Sequence, residues 1–73
     1  MRIYTVTCNG QPAAVVRATD PEEAITIARA LAEDVGLTGV FAAREPQDAE
    51  MVSWLGHRAD HLLAEASSLA DAV

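Results

Sequence analysis

Lysine is absent from the chain, and five arginines stand alone against eleven carboxylates, leaving a formal charge of -6 on 73 residues. A field of that sign repels phosphate backbones and attracts basic surfaces, so direct nucleic-acid binding is disfavoured and a basic protein partner is expected. The single cysteine, Cys8, rules out an internal disulfide. It lies in a strand pattern with no histidine near it in sequence, where a thiol serves as a small buried apolar group. No apolar run reaches the length of a membrane span, and the opening Met1 to Thr7 lacks the apolar core of a signal peptide, so a cytoplasmic protein is expected. There is no glycine-rich phosphate loop, no cysteine cluster and no Ser-His-Asp set at recognisable positions. The expectation is a non-enzymatic protein without a cofactor.

What is present is one domain's worth of chain, 1–73, with fifteen alanines and few large apolar residues. A chain this short buries only about 60% of its unfolded surface, so each apolar face counts. The core candidates are Ile3, Tyr4, Val6, Val15, Val16, Ile25, Leu31, Val35, Val40, Phe41, Met51, Leu55, Leu62 and Leu69.

Residues 2 to 8 and 13 to 18 are rich in β-branched and aromatic side chains, and Asn9-Gly10 between them favours the positive φ angles of a hairpin turn. A two-residue loop sets Val6 opposite Ala13, Tyr4 opposite Val15 and Arg2 opposite Arg17. Pro12 cannot donate to a ladder, which predicts a sheet edge for the second strand. Asp20-Pro21-Glu22-Glu23 signals a helix start, with Asp20 as cap and Glu23 completing a capping box. The helix is expected to run to about Val35, with Gly36 closing it. Its inward face carries Ala24, Ile25, Ala28, Leu31, Ala32 and Val35; its outward face carries Glu22, Glu23, Glu33 and Asp34 around Arg29.

Thr38 to Arg44 reads as a third strand, and a right-handed crossover sets it antiparallel beside the first, giving the order 2-1-3. Pro46 then opens a second helix whose stripe of Val52, Leu55, Ala59, Leu62, Ala66, Leu69 and Val73 continues to the end of the chain. A helix from 46 to 73 would measure about 42 Å, against a diameter of roughly 28 Å for a compact chain of this length. It must therefore bend near Gly56, fray, or pack on another copy. The fold expected is α+β: a ββαβα domain with a three-stranded antiparallel sheet covered by helices.

Three constellations compete for function. The carboxylates Glu22, Glu23, Glu33 and Asp34, with Trp54 as a flanking anchor, form a partner-binding surface that would occupy a positively charged channel. Val52, Leu55, Leu62, Leu69 and Val73 form an alternative homodimer seam. His57 and His61, four residues apart with Glu65 beyond, have the spacing of a metal clamp, but solvated histidines pairing locally with Asp60 and Glu65 account for them better, and no metal is expected. Trp54 has a second reading as a cover for the core edge.

The hairpin Tyr4-Thr5-Val6-Thr7-Cys8-Asn9-Gly10 followed by Asp20-Pro21-Glu22-Glu23-Ala24-Ile25, in a short acidic chain, resembles the small phage-encoded anti-CRISPR inhibitors in overall character. That resemblance implies a non-enzymatic inhibitor acting in the cytoplasm of a bacterial host. It would bind a basic surface of a type I, Cascade-type CRISPR effector complex that otherwise receives target DNA.

Overall fold

Asn9 and Gly10, at φ 53° and 84°, form the tight turn that joins β1 (Arg2–Cys8) to β2 (Gln11–Ala18). The structure is a computed structural model and describes residues 1–64 and 66. A helix α1 (Pro21–Glu33), a strand β3 (Phe41–Arg44), a helix α2 (Asp48–His57) and a two-residue strand β4 (His61–Leu62) follow. The fold is α+β with a four-stranded antiparallel sheet in the order β3-β1-β2-β4. The three strands expected from sequence take the expected order, and the fourth is new.

The hairpin register differs from that of an unbroken ladder because Ala13 is an extra residue. Thr7 faces Pro12, yet Val6 faces Ala14. This bulge moves Tyr4 opposite Val16 and Arg2 opposite Ala18, so Arg2 and Arg17 are not a facing pair. A one-residue shift exchanges the faces of a strand. Ala14, Val16 and Ala18 therefore join Val6 under α1, while Val15, fully buried, joins Thr5 on the opposite side. Thr5 donates to Glu50 of α2, which places α2 on the sheet face opposite α1. Ala13 to Val16 are all buried, the signature of a strand covered on both faces.

Helix α1 starts as its sequence requires. The Asp20 carboxylate accepts from Glu23 N at 2.7 Å, and Glu23 reaches back to Thr19, accepting from its N at 3.2 Å and its hydroxyl at 3.0 Å, instead of bonding Asp20 N. The helix ends two residues before Val35. Leu37 N donates to Ala32 O at 3.0 Å and Gly36 N to Glu33 O at 3.2 Å, the paired bonds of a Schellman closure with Gly36 at φ 71°. Ala24, Ala28 and Ala32 are buried against the sheet, and their single methyls let the helix axis approach it closely. Ile25, Ile27 and Leu31 flank them, whereas Val35, past the helix end, is exposed.

The long second helix does not form. Gln47 caps α2, so Pro46 precedes the helix, and at Arg58 the backbone turns left-handed (φ 54°). The chain then returns along the outer edge of β2, where Asp60 Oδ1 accepts from Arg17 N at 2.8 Å and Leu63 N donates to the bulged Ala13 O at 2.8 Å. Backbone groups that β2 would leave open at an edge are paired in this way, which a continued helix could not do. β2 is thus internal along Ala14–Val15, while Pro12 lies beyond the β4 pairing. Leu62 and Ala66 still reach the core, as the stripe requires. Val40 and Leu55, counted as core from sequence, are exposed. Leu69 and Val73 lie outside the described residues. No helix among the described residues is long and apolar enough to cross a membrane.

Candidate functional site

The four α1 carboxylates do not form one continuous face. Glu23 is held by Thr19, and Asp20 by the Glu23 amide, so both serve the helix start. Glu22 projects beside them, exposed. Glu33 and Asp34 are exposed at the opposite end of the helix, about 15 Å further along the axis at 1.5 Å per residue. The acidic surface is two patches joined by the outward side of α1.

No carboxylate of either patch is ion-paired among the described residues, although Arg17 and Arg58 line the groove beside Glu23. Among the described residues, the one ion pair joins Arg44 to Glu50, away from α1. Arg29, the only cation on α1, lies over the Phe41 ring at 5.7 Å from its centroid. The last turn of α1 carries no basic residue, so Glu33 and Asp34 sit at the negative end of the helix dipole without compensation. Such placement costs about 0.3–1 kcal/mol per charge.

Trp54 is half-buried. It lines a groove of about 380 Å³ with Arg17, Glu23, Ile27, Arg58 and Asp60, and its ring stacks toward His61 at 6.4 Å between centroids. The structure thus brings Trp54 beside Glu23, while Glu33 and Asp34 lie apart from both.

His57 and His61 meet face to face, with centroids 3.9 Å apart and planes at 14°. Their Nδ1 atoms contact Ser53 O at 2.9 Å and Ala59 O at 2.8 Å. A carbonyl only accepts, so each neutral ring carries its proton on Nδ1. His61 Nε2 is then an acceptor for the Ser53 hydroxyl at 2.8 Å. Stacked rings direct their nitrogen lone pairs along parallel planes and not toward one ion. Among the described residues no group of three His, Cys, Asp or Glu is placed to hold a metal. Asp60, expected beside the histidines, instead accepts from Arg17 N, and Glu65 lies outside the described residues. Ser53 and His61 have the contact distance of a nucleophile and base, but Ser53 is inside a helix whose backbone N–H groups serve the helix ladder. No pair of free N–H donors is therefore supplied there for an oxyanion. The cluster ties β4 to α2.

A buried polar network escaped the sequence reading. Glu50, in the first turn of α2, is buried and accepts from Arg44 Nη1 and Nη2, each at 2.8 Å, from Thr5 Oγ1 at 2.9 Å and from Gln47 N at 2.7 Å. The Arg44 hydrogen bonds, reinforced by Gln47 N–H and Thr5 and opposed by burial, hold its carboxyl at about 2, against an ordinary 4.5. Two signals were available: a lone arginine closing β3, and a threonine between the apolar neighbours Tyr4 and Val6 in the middle of β1. Cys8 is buried, with Sγ 3.5 Å from Thr38 O, as expected of a packing thiol.

The proposed dimer seam is interrupted. Val52 and Leu55 are exposed on α2, at 69% and 62%, whereas Leu62 on β4 packs into the chain's own core. Compared with protein-family profiles, with curated proteins and with solved structures, the chain matches none.

Proposed function

We propose that the protein is a non-enzymatic inhibitor that offers the outward side of α1, above all Glu33 and Asp34 with Glu22, to a basic nucleic-acid-binding surface of a partner. The partner class is the type I, Cascade-type CRISPR effector complex, at the channel that receives target DNA. The observation that carries this reading is the uncompensated acidic pair at the C-terminal end of α1, where the helix's own dipole disfavours it. Residues that oppose local stability without a structural return are expected at functional surfaces. Among the described residues their carboxylates form no hydrogen bond or ion pair, whereas Glu23 and Glu50 are committed to partners in the fold.

Competition tests the mechanism. Purified type I effector complex is loaded with labelled target DNA in the presence of increasing protein, at two salt concentrations. The expected outcome is mutual exclusion of DNA and protein, with apparent affinity falling steeply as salt rises, because the contact replaces phosphate charge. Simultaneous binding of both, or a salt-independent affinity, contradicts the proposal.

A further inference from the structure

Strand β3 ends the sheet: among the described residues no strand lies beyond it. Asn9 N donates to Val40 O at 2.9 Å, which fixes the hydrogen-bonding phase of the β1–β3 ladder. In the observed register Thr7 faces Ala42 and Thr5 faces Arg44. Counting in steps of two from Asn9 and Val40, these are the pairs whose N–H and C=O groups point at each other. The backbone groups of Phe41 and Ala43 therefore point outward, away from β1. Natural edges are blunted by lysine, proline, bulges or a covering element. β3 has none of the first three: its one charged side chain, Arg44, is held by Glu50.

We infer that β3 pairs antiparallel with β3 of a second copy of this chain, joining two sheets into one of eight strands. The two-fold axis passes through Ala42. In that register Phe41 and Ala43 of one copy exchange hydrogen bonds with Ala43 and Phe41 of the other, so each outward donor and acceptor finds a partner. Ala42 meets its own copy in a non-hydrogen-bonded pair, where Cα atoms come within about 4.5 Å and small side chains fit best. Val40, 74% exposed in the single chain, lies opposite the Arg44 methylenes of the second copy and gains a cover there. The centred register uses all four residues of β3. Shifting it one way would require Gly39, whose φ of 154° departs from the strand, and shifting it the other way would recruit Glu45, whose carbonyl already accepts from Arg44.

Sedimentation over a concentration series, with amide exchange read at its two ends, tests the pairing. The expected result is a concentration-dependent dimer in which the Phe41 and Ala43 amides become protected only at high concentration, while those of Ala42 and Arg44 are protected throughout. Ala42→Lys, at a position exposed in the single chain, sets two like charges against each other and should raise the dissociation constant roughly tenfold or more. Val52→Asp should leave it unchanged. A strict monomer overturns the inference. So does protection of Phe41 and Ala43 that ignores concentration, or a dimer broken by Val52→Asp and not by Ala42→Lys.

Discussion

Glu50→Gln is expected to lower the free energy of unfolding by about 3 kcal/mol, on the order of 15 °C in Tm for so small a domain. The substitution keeps the shape of the side chain and removes its charge. Arg44 then faces an amide at the end of its fork, and the amide's own N–H group meets other donors in place of an acceptor. Removing one partner of a buried ion pair costs about 3–5 kcal/mol; the lower end applies because Arg44 keeps 34% of its side chain in water. Thr5→Val removes a single neutral donor from the same carboxylate and fits the fully buried site, so its cost should be near 1 kcal/mol. Chemical denaturation of the three proteins at neutral pH gives the ranking.

The same network predicts a pH dependence of definite sign. Glu50 is held at about 2 in the fold against an ordinary 4.5, so its contribution is fully present above pH 4.5 and is lost as the pH falls toward 2. The stability gap between the native protein and Glu50→Gln should be widest at neutral pH and narrow through that interval. A gap that stays constant from pH 7 to pH 2 would mean that the carboxylate is not stabilised by its partners.

Gly39→Ala is the second large effect expected, about 2 kcal/mol, from two causes at one position. Its φ of 154° is a region that side-chain-bearing residues rarely adopt, and a Cβ there would stand 2.5 Å from Asn9 Nδ2 and 2.8 Å from Asn9 Cγ. Asn9 cannot move away freely, because its Oδ1 accepts from Val40 N at 3.0 Å while it also forms the β1–β2 turn. Faster exchange of the Val40 amide should accompany the loss. Adding Asn9→Gly to Gly39→Ala should recover the part due to the clash and leave the backbone strain, a coupling that a double-mutant cycle measures. Strict additivity would show that the two side chains do not compete for space.

Local chemistry made much of this fold legible in the sequence. Asn9-Gly10 and Asp20-Pro21 determine their own surroundings, and the turn and helix start lie where those residues require. The bulge at Ala13 was not legible, since nothing in Pro12-Ala13-Ala14 distinguishes a regular ladder from one with an extra residue. The burial of Val15 and Val16 on opposite faces was written in the unbroken apolar run, which marks two-sided burial; the bulge decides only which of the two lies under α1. The end of α2 failed for a related reason. Leu62, Leu63 and Ala66 satisfy a helical spacing and are buried or half-buried in any case, so periodicity could not report that the chain reverses at Arg58. The open edge of β2 that draws β4 to it exists only in the assembled sheet. At the surface, charge counting found the acidic residues but not their division of labour, because a carboxylate that serves the helix start, such as Glu23 on Thr19, and an exposed one such as Glu33 look alike until the helix ends are fixed.

The functional account is tested most directly by two double reversals with the same net charge. Glu33→Lys/Asp34→Lys and Glu45→Lys/Asp48→Lys each change the formal charge from -6 to -2, since each reversal adds two and -6 + 4 = -2. Both pairs are exposed, so both variants should fold. Calorimetric titration of each into the type I effector complex should show the first losing roughly thirtyfold or more in affinity and the second less than about threefold. Equal losses would mean that the partner senses only total charge, and an unchanged affinity for Glu33→Lys/Asp34→Lys would remove α1 from the interface altogether.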